Sequence, residues 1–276
     1  MKIIGVIVRR NVAGPNIPTV CLSRHWNGFS ASSKFQEPRM LGRSSGEGRA
    51  VHLLERFTGK TPVRSVDDSL LLYHQGAGAH FCMGRLIKII SDKLIAMFGI
   101  LASVPFMVLF GLAIKLTSPG PVIFRQERLG LHEKPFVLMK FRTMIDHAER
   151  ETGPKWAGEH DPRITTVGRI LRKTRLDELP QLFNVLKGEM SIVGPRPIRK
   201  HFADILAQDI PCYRLRFTVK PGITGWAQVC GDYAGSHEGQ REKFEYDLYY
   251  LRHQSLYLDL LILCKTVTTV FRLRGQ

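Results

Sequence analysis

Residues 172–197 read RKTRLDELPQLFNVLKGEMSIVGPRP, and the reading of the whole chain turns on them. Asp177 and Glu178 stand side by side, with three cations, Arg172, Lys173 and Arg175, just ahead of them. Leu179, Leu182, Phe183 and Leu186 then recur at helical spacing and make one apolar stripe. A short apolar run, Met190 to Val193, ends in Gly194-Pro195-Arg196-Pro197. The acidic pair has two readings. Asp177 suits a helix N-cap and Glu178 the positive end of a helix dipole, with Pro180 tolerated in the first turn. Carboxylates beside fixed cations equally suit a reaction on an anionic substrate, with a metal ion to hold the charges together. The two are compatible, because a helix start presents free N–H groups that bind phosphate.

The rest of the composition points the same way. The chain has 276 residues and a formal net charge of +16, from 40 Lys and Arg against 24 Asp and Glu. That length supports one good-sized core. The charge implies anionic partners: phosphorylated small molecules, an acidic membrane surface or nucleic acid. The cations are spread along the chain instead of forming a basic tail, which disfavours a nucleic-acid arm. The five cysteines form no CxxC pair, so they read as reduced thiols, with neither a zinc site nor a disulfide frame. No Walker or dinucleotide-binding glycine signature is present.

Upstream, residues 1–52 read as a poorly ordered leader and 53–84 as a linker region with a short helix, a turn and an extended piece. From Leu94 through Ile114 there is no charged residue. At ~1.5 Å per residue this run is about 30 Å long, enough to cross a bilayer. Pro105 interrupts it and would kink a regular helix. Arg85, Lys88 and Lys93 precede the run, and Lys115, Arg125 and Arg128 follow it. Cations on both flanks conflict with a simple crossing. A plain span, a hairpin that bends at Pro105 and returns, and a buried soluble helix all remain open at this point.

Downstream, VIFRQERLG and KPFVLMKFRTM read as short strands or loops, with Lys140 and Arg142 on one face of the second. Residues 145–162 are polar, with no metal-binding spacing at His132, His147 or His160. Arg163 to Lys173 and residues 198–210 read as helices. VKPGITGWAQV carries a Pro-Gly turn and a second breaker at Gly225. Trp226 suits either a headgroup boundary or a core. Gln240 to Arg274 reads as helical, and its mix of aromatics, cations and an apolar run from Ser255 fits an interfacial amphipathic helix or a core helix. The fold class expected is therefore α+β: a mainly helical catalytic domain over 85–276 with small β elements, one membrane helix over about 86–116, and C-terminal interfacial helices.

With these residues in view, the chain from about residue 84 to the C-terminus resembles the bacterial sugar transferases of the monotopic phosphoglycosyl transferase family. The likeness rests on SPGPVIFRQERLG, KPFVLMKFRTM, DPRITTVGRILRKTRLDELPQLFNVLKGEMSIVGPRP, VKPGITGWAQV and YDLYYLRHQSLYLDLLI, in that order. A weaker likeness in LLERFTGKTPV points to the longer members linked to exopolysaccharide assembly. The resemblance implies transfer of a sugar-1-phosphate from a nucleotide sugar, usually a UDP-sugar, to undecaprenyl phosphate, releasing UMP. It implies Mg²⁺ and a covalent phosphosugar on Asp177, with Glu178 and Asp177 as metal ligands. It also implies a re-entrant membrane helix kinked at Pro105, at the cytoplasmic face of a bacterial inner membrane. Arg172, Arg175, Arg196, Lys140, Arg142 and Asp247 are the residues expected to meet substrate and phosphate. No nucleic-acid partner is implied, and a homo-oligomer is compatible.

The chain departs from the family's pattern in two places. Val104, not Ser, precedes Pro105, with Ser103 one place earlier, and CGDYAGSHEGQ after Val229 does not follow the usual pattern. Two other classes stay open: a non-catalytic membrane scaffold whose acidic pair only caps a helix, and a basic module binding nucleic acid or an acidic polymer.

Overall fold

The computed structural model describes residues 45–66, 79–146, 148, 161–231 and 237–271. The expectations for the leader before residue 45, for residues 67–78, for His147 and for 149–160 lie outside the described residues. Helix α1 (Ser45–Thr58) runs across the expected boundary at residue 52. It docks through Glu55, which accepts from the Thr61 hydroxyl at 2.6 Å and from Arg252 at 3.3 Å and lies 3.2 Å from His253. Residues 53–66 thus pack on the C-terminal part of the chain.

The uncharged run becomes part of one long helix, α2 (Ala79–Thr117), which continues through Pro105. Its inward residues follow a helical stripe, Asp92, Ala96, Gly99, Ser103, Met107, Phe110 and Ile114, and this stripe touches the rest of the fold along its length. At one end the Asp92 carboxylate accepts from the Ser191 hydroxyl at 2.7 Å and from the Ile192 N–H at 3.3 Å. Lys88 joins it, 3.0 Å from Asp92 and 2.9 Å from Asp259. At the other end Ile114 packs with Phe141 and Leu171. The opposite face is apolar and bare: Phe98, Leu101, Val108 and Leu116 are all more than half exposed. Ser103 donates to the Ile100 carbonyl at 3.2 Å. The carbonyl that Pro105 leaves without its helical donor is that of Leu101, so this hydroxyl does not replace the lost bond.

Strands β1 (Ile123–Leu129) and β2 (Pro135–Phe141) form an antiparallel hairpin, with Phe124 opposite Lys140. Phe136, Leu138 and Lys140 share one face by the two-residue period, so Lys140 lies on the inward face of the hairpin. Helices α3 (Thr166–Thr174) and α4 (Gln181–Lys187) follow. A second sheet pairs β3 (Ser191–Val193) in parallel with β4 (Gly222–Thr224), joined by a crossover that contains α5 (Lys200–Asp209). Helices α6 (Trp226–Cys230), α7 (His237–His253) and α8 (Leu256–Phe271) complete the described chain. The fold is α+β, mostly helical with two small sheets among the described residues.

Two details left open by the sequence take definite form. The C-terminal stretch forms two helices, and Ser255 caps the second by accepting the Leu258 N–H at 3.2 Å. Trp226 is a core residue: it is buried, donates to the Gly59 carbonyl at 2.7 Å and stacks on Tyr249.

Candidate active site

The acidic pair sits in a 3₁₀ turn, Leu176–Glu178, between α3 and α4. Helix α4 starts only at Gln181, Pro180 holds its N-cap position, and no side chain caps it. The capping role expected of Asp177 is therefore absent; both carboxylates are buried side by side without that duty. Helix α3 ends at Arg175, whose φ of 57° is left-handed. A residue with a Cβ adopts that conformation at a cost of roughly 1–2 kcal/mol. The turn so formed brings Arg175 next to the pair.

Cations surround the two carboxylates. Arg196 donates to Glu178 at 2.7 Å. Burial pushes the Glu178 carboxyl up, but the Arg196 and Arg175 guanidiniums, the Arg196 hydrogen bond and the Lys140 ammonium outweigh it and hold it below the usual range. Asp177 goes the other way, up to about 6, through burial and the adjacent Glu178, against the pull of Lys140, Arg196 and Arg172. Burial lowers Lys140 to about 8; Asp177 opposes this, while Arg172, Arg128 and Arg196 add to it. Arg172 donates from Nε to the Thr143 hydroxyl at 2.9 Å.

Arg196 is held from behind. The Gly194-Pro195 backbone runs against β4: the Gly194 N–H donates to Thr224 at 2.9 Å, and the Gly222 N–H to Pro195 at 2.9 Å. A Cβ on Gly222 would stand 2.1 Å from the Gly194 nitrogen, so only glycine permits this approach. Arg216 donates to the Arg196 carbonyl at 3.0 Å and pairs with Asp247 at 2.9 Å. Burial raises Asp247 to about 6, against Arg216 and Lys243.

Of the residues expected from sequence, Asp177, Glu178, Arg172, Arg175, Arg196 and Lys140 come together. Asp247 stands behind them, reaching Arg196 through Arg216. Arg142 does not join the group. Strand β2 ends at Phe141, and the buried Arg142 guanidinium turns to the Ser118 and Pro119 carbonyls, 2.7 Å from each, at the end of α2. Such groups are otherwise left open at a helix C-terminus. Sequence reasoning does not assign Arg128, Arg216 or Lys243 to the site. Lys243 lies four residues before Asp247 on one helix, which is the signal available for that one contact.

Among the described residues, no group of three or more His, Cys, Asp or Glu side chains could enclose a metal ion. The acidic pair nevertheless fits Mg²⁺, which takes one or two carboxylates and fills its shell with water and substrate phosphate. The raised Asp177, with Glu178 as its second cause, marks negative charge that a bound cation would offset.

A family profile described as bacterial sugar transferase matches residues 83–273, from α2 through α8. The chain belongs to this family. It is 46% identical over 179 residues to a UDP-N-acetylgalactosamine-undecaprenyl-phosphate N-acetylgalactosaminephosphotransferase of Aeromonas hydrophila, covering 65% of this chain and 42% of that protein. It is 44% identical over 191 residues to a UDP-glucose:undecaprenyl-phosphate glucose-1-phosphate transferase of Xanthomonas campestris pv. campestris, covering 68% of this chain and 39% of the relative. A third relative, the sugar transferase EpsL of Bacillus subtilis, is 44% identical over 191 residues, which are 69% of this chain and 90% of EpsL. The chain thus spans about two-fifths of the first two relatives, and most of the third. The residues that this sugar transferase gathers around its acidic pair, from Lys140 to Asp247, all fall inside the matched region.

Proposed function

We propose that this sugar transferase moves a sugar-1-phosphate from a UDP-sugar to undecaprenyl phosphate, through a covalent phosphosugar on Asp177. The observation that carries the proposal is the buried Asp177–Glu178 pair enclosed by Arg172, Arg175, Arg196 and Lys140. The names of the first two relatives support the substrate classes, and their different sugars leave the sugar open. The missing cap bond removes the local basis of the scaffold alternative.

In this mechanism an Asp177 carboxylate oxygen bonds to the phosphorus that bears the sugar. The bond from that phosphorus to the UMP oxygen breaks, and its electron pair leaves with UMP. A phosphate oxygen of the polyprenyl acceptor then attacks the same phosphorus, and the carboxylate is regenerated. Neither nucleophile has to lose a proton first when ionised, so no general base is needed. Arg196 and Lys140 oppose the charge that builds on the leaving and transferring oxygens. Glu178 and Asp177 would hold Mg²⁺, which supplies further neutralisation of the diphosphate when bound.

The acceptor is a membrane lipid, and α2 supports a re-entrant seat in the bilayer. Both its ends touch the same domain, at Asp92–Ser191 and at Ile114–Phe141, while the face between is bare and apolar. Helix α8 adds an exposed Tyr257, Leu260 and Val267, as an interfacial helix would. Such an enzyme works at the cytoplasmic face of the inner membrane, where nucleotide sugars are made.

The test is UMP release from a panel of UDP-sugars with undecaprenyl phosphate, alongside intact-mass detection of the adduct. Wild-type protein with Mg²⁺ should release UMP and gain one phosphosugar. Chelating the metal should stop turnover, and added Mg²⁺ should restore it. Asp177→Asn should lose the adduct and roughly a thousandfold or more of the rate. Full turnover by Asp177→Asn would refute the proposal.

A further inference from the structure

A cavity of about 240 Å³ opens beside Glu178. Its walls are largely aliphatic: Leu176, Leu179 and Leu182 from the turn and α4, Ile223 from β4 and Val229 from α6. Glu178 and Arg175 form its polar end, and Thr266 and Thr269 of α8 close another side. Pockets that hold whole small-molecule ligands run to roughly 300–1,000 Å³. This one is too small and too apolar for a nucleotide sugar, and suits a short length of branched hydrocarbon.

Its surroundings say where that hydrocarbon comes from. Leu182 also packs on α2, where a Cβ at Gly99 would lie 3.2 Å from its Cδ1. Thr266 and Thr269 stand on the helix whose other face exposes Leu260 and Val267. The cavity is therefore walled by α8 and reaches α2 through Leu182, and Glu178 of the catalytic pair stands at its polar end. At that end the Arg175 Nε is buried without a hydrogen-bond partner. An apolar slot that ends in a guanidinium with an unpaired Nε is complementary to a chain that carries one phosphate.

We propose that this cavity binds the phosphate-proximal isoprenoid units of a prenyl phosphate acceptor, with the phosphate at Arg175 and the chain between α4, β4, α6 and α8. The inference rests on the transferase reaction proposed above, and it assigns the second substrate to its own wall of the site. The donor phosphates are left to Lys140, Arg172 and Arg196. Each substrate can then reach Asp177 in turn.

The experiment uses the full chain in detergent with farnesyl phosphate carrying a photoactivatable diazirine on its first isoprene. Labelled peptides should come from the turn and α4, from α6 and from α8. Unlabelled farnesyl phosphate should compete, whereas farnesol, inorganic phosphate and dioleoyl phosphatidic acid should not. In steady-state assays, Val229→Trp and Thr269→Trp, which fill the cavity, should raise the KM for undecaprenyl phosphate tenfold or more relative to the donor KM, and should abolish labelling. Unfolding midpoints check that both variants fold; if they do not, the wild-type label map alone decides. Labelling confined to the outer face of α2, competition by dioleoyl phosphatidic acid as strong as by farnesyl phosphate, or folded tryptophan variants with an unchanged acceptor KM would each overturn the assignment. A protein labelled in the cavity that releases no UMP would refute the transferase reaction and leave the prenyl phosphate site standing. An active protein that is unlabelled there would do the reverse.

Discussion

Asp247 reaches Arg196 through Arg216, and so helps to determine where Arg196 can be. Its carboxylate pairs with Arg216, and Arg216 holds the Arg196 carbonyl. Arg216 is itself buried, so removing its partner leaves a charge in a poor solvent. Asp247→Asn is expected to cost about 3–5 kcal/mol in denaturant unfolding. Asp247→Leu combined with Arg216→Met should recover much of that stability without recovering activity, because the Arg196 carbonyl then has no guanidinium to fix it. Lys140 gives a pH prediction. Its ammonium is charged below about 8 and loses its proton as pH rises through that value, because burial and three arginines disfavour the charge. The donor KM should therefore climb above pH 8, by at most about tenfold per unit. Lys140→Arg, which stays charged, should remove that alkaline rise; a KM that still climbs would assign the limb to another group. At this scale the sequence was informative for the acidic pair and the cations beside it. Spacing could not separate Arg142 from Lys140, since both lie two apart on an extended segment. What divides them is the end of β2, after which Arg142 meets open carbonyls that only the folded α2 supplies.

The elements that position the pair are held by backbone as much as by side chains. Three glycines, Gly194, Gly222 and Gly225, let the Pro195-Arg196 segment cross β4 at a separation that admits no Cβ. Gly222→Ala would drive a methyl into the Gly194 nitrogen, so Arg196 must move away from Glu178 or the two strands must part. The expected outcome is a loss of a hundredfold or more in kcat with a lower unfolding midpoint, while Gly84→Ala, inside helix α2 and meeting nothing within 4 Å, should leave kcat unchanged and should not lower the midpoint. The parallel pairing of β3 with β4 could not be seen in sequence. Each strand has three residues, too few for a two-residue period to register, and the pairing depends on a crossover through α5. Long elements were legible because their patterns repeat. Helix α2 announced itself by an uncharged run, and α3 by Val167, Ile170 and Leu171 at helical spacing. The place of the break between α7 and α8 was not legible because apolar residues continue across it; the one local sign was Ser255, a capping residue inside an otherwise helical pattern.

For the molecule as a whole, the central question is how a chain with a net charge of +16 would sit against a bilayer. A helix of 39 residues would be about 58 Å long if straight, nearly twice the ~30 Å of hydrocarbon it would have to cross. A spanning helix would also separate its ends, yet Lys88 and Asp92 at one end and Ile114 at the other are tied to one folded domain. Breaking those ties would take Lys88 from Asp259 and Asp92 from Ser191 and Ile192, leaving Lys88 and Asp92 only each other. The seat proposed above keeps both ends on one side, with the bare face of α2 turned into lipid and the cations Arg85, Lys93 and Arg125 near the headgroups. Each cation held close to an anionic leaflet contributes ~1 kcal/mol to that seat. With the five native cysteines replaced, Arg85→Cys and Arg125→Cys should react with a membrane-impermeant maleimide from the same side of sealed inverted vesicles, and neither from the opposite side. Reaction from opposite sides would mean that the Asp92–Ser191 and Ile114–Phe141 contacts do not coexist in the membrane, and the one-sided seat would have to be abandoned.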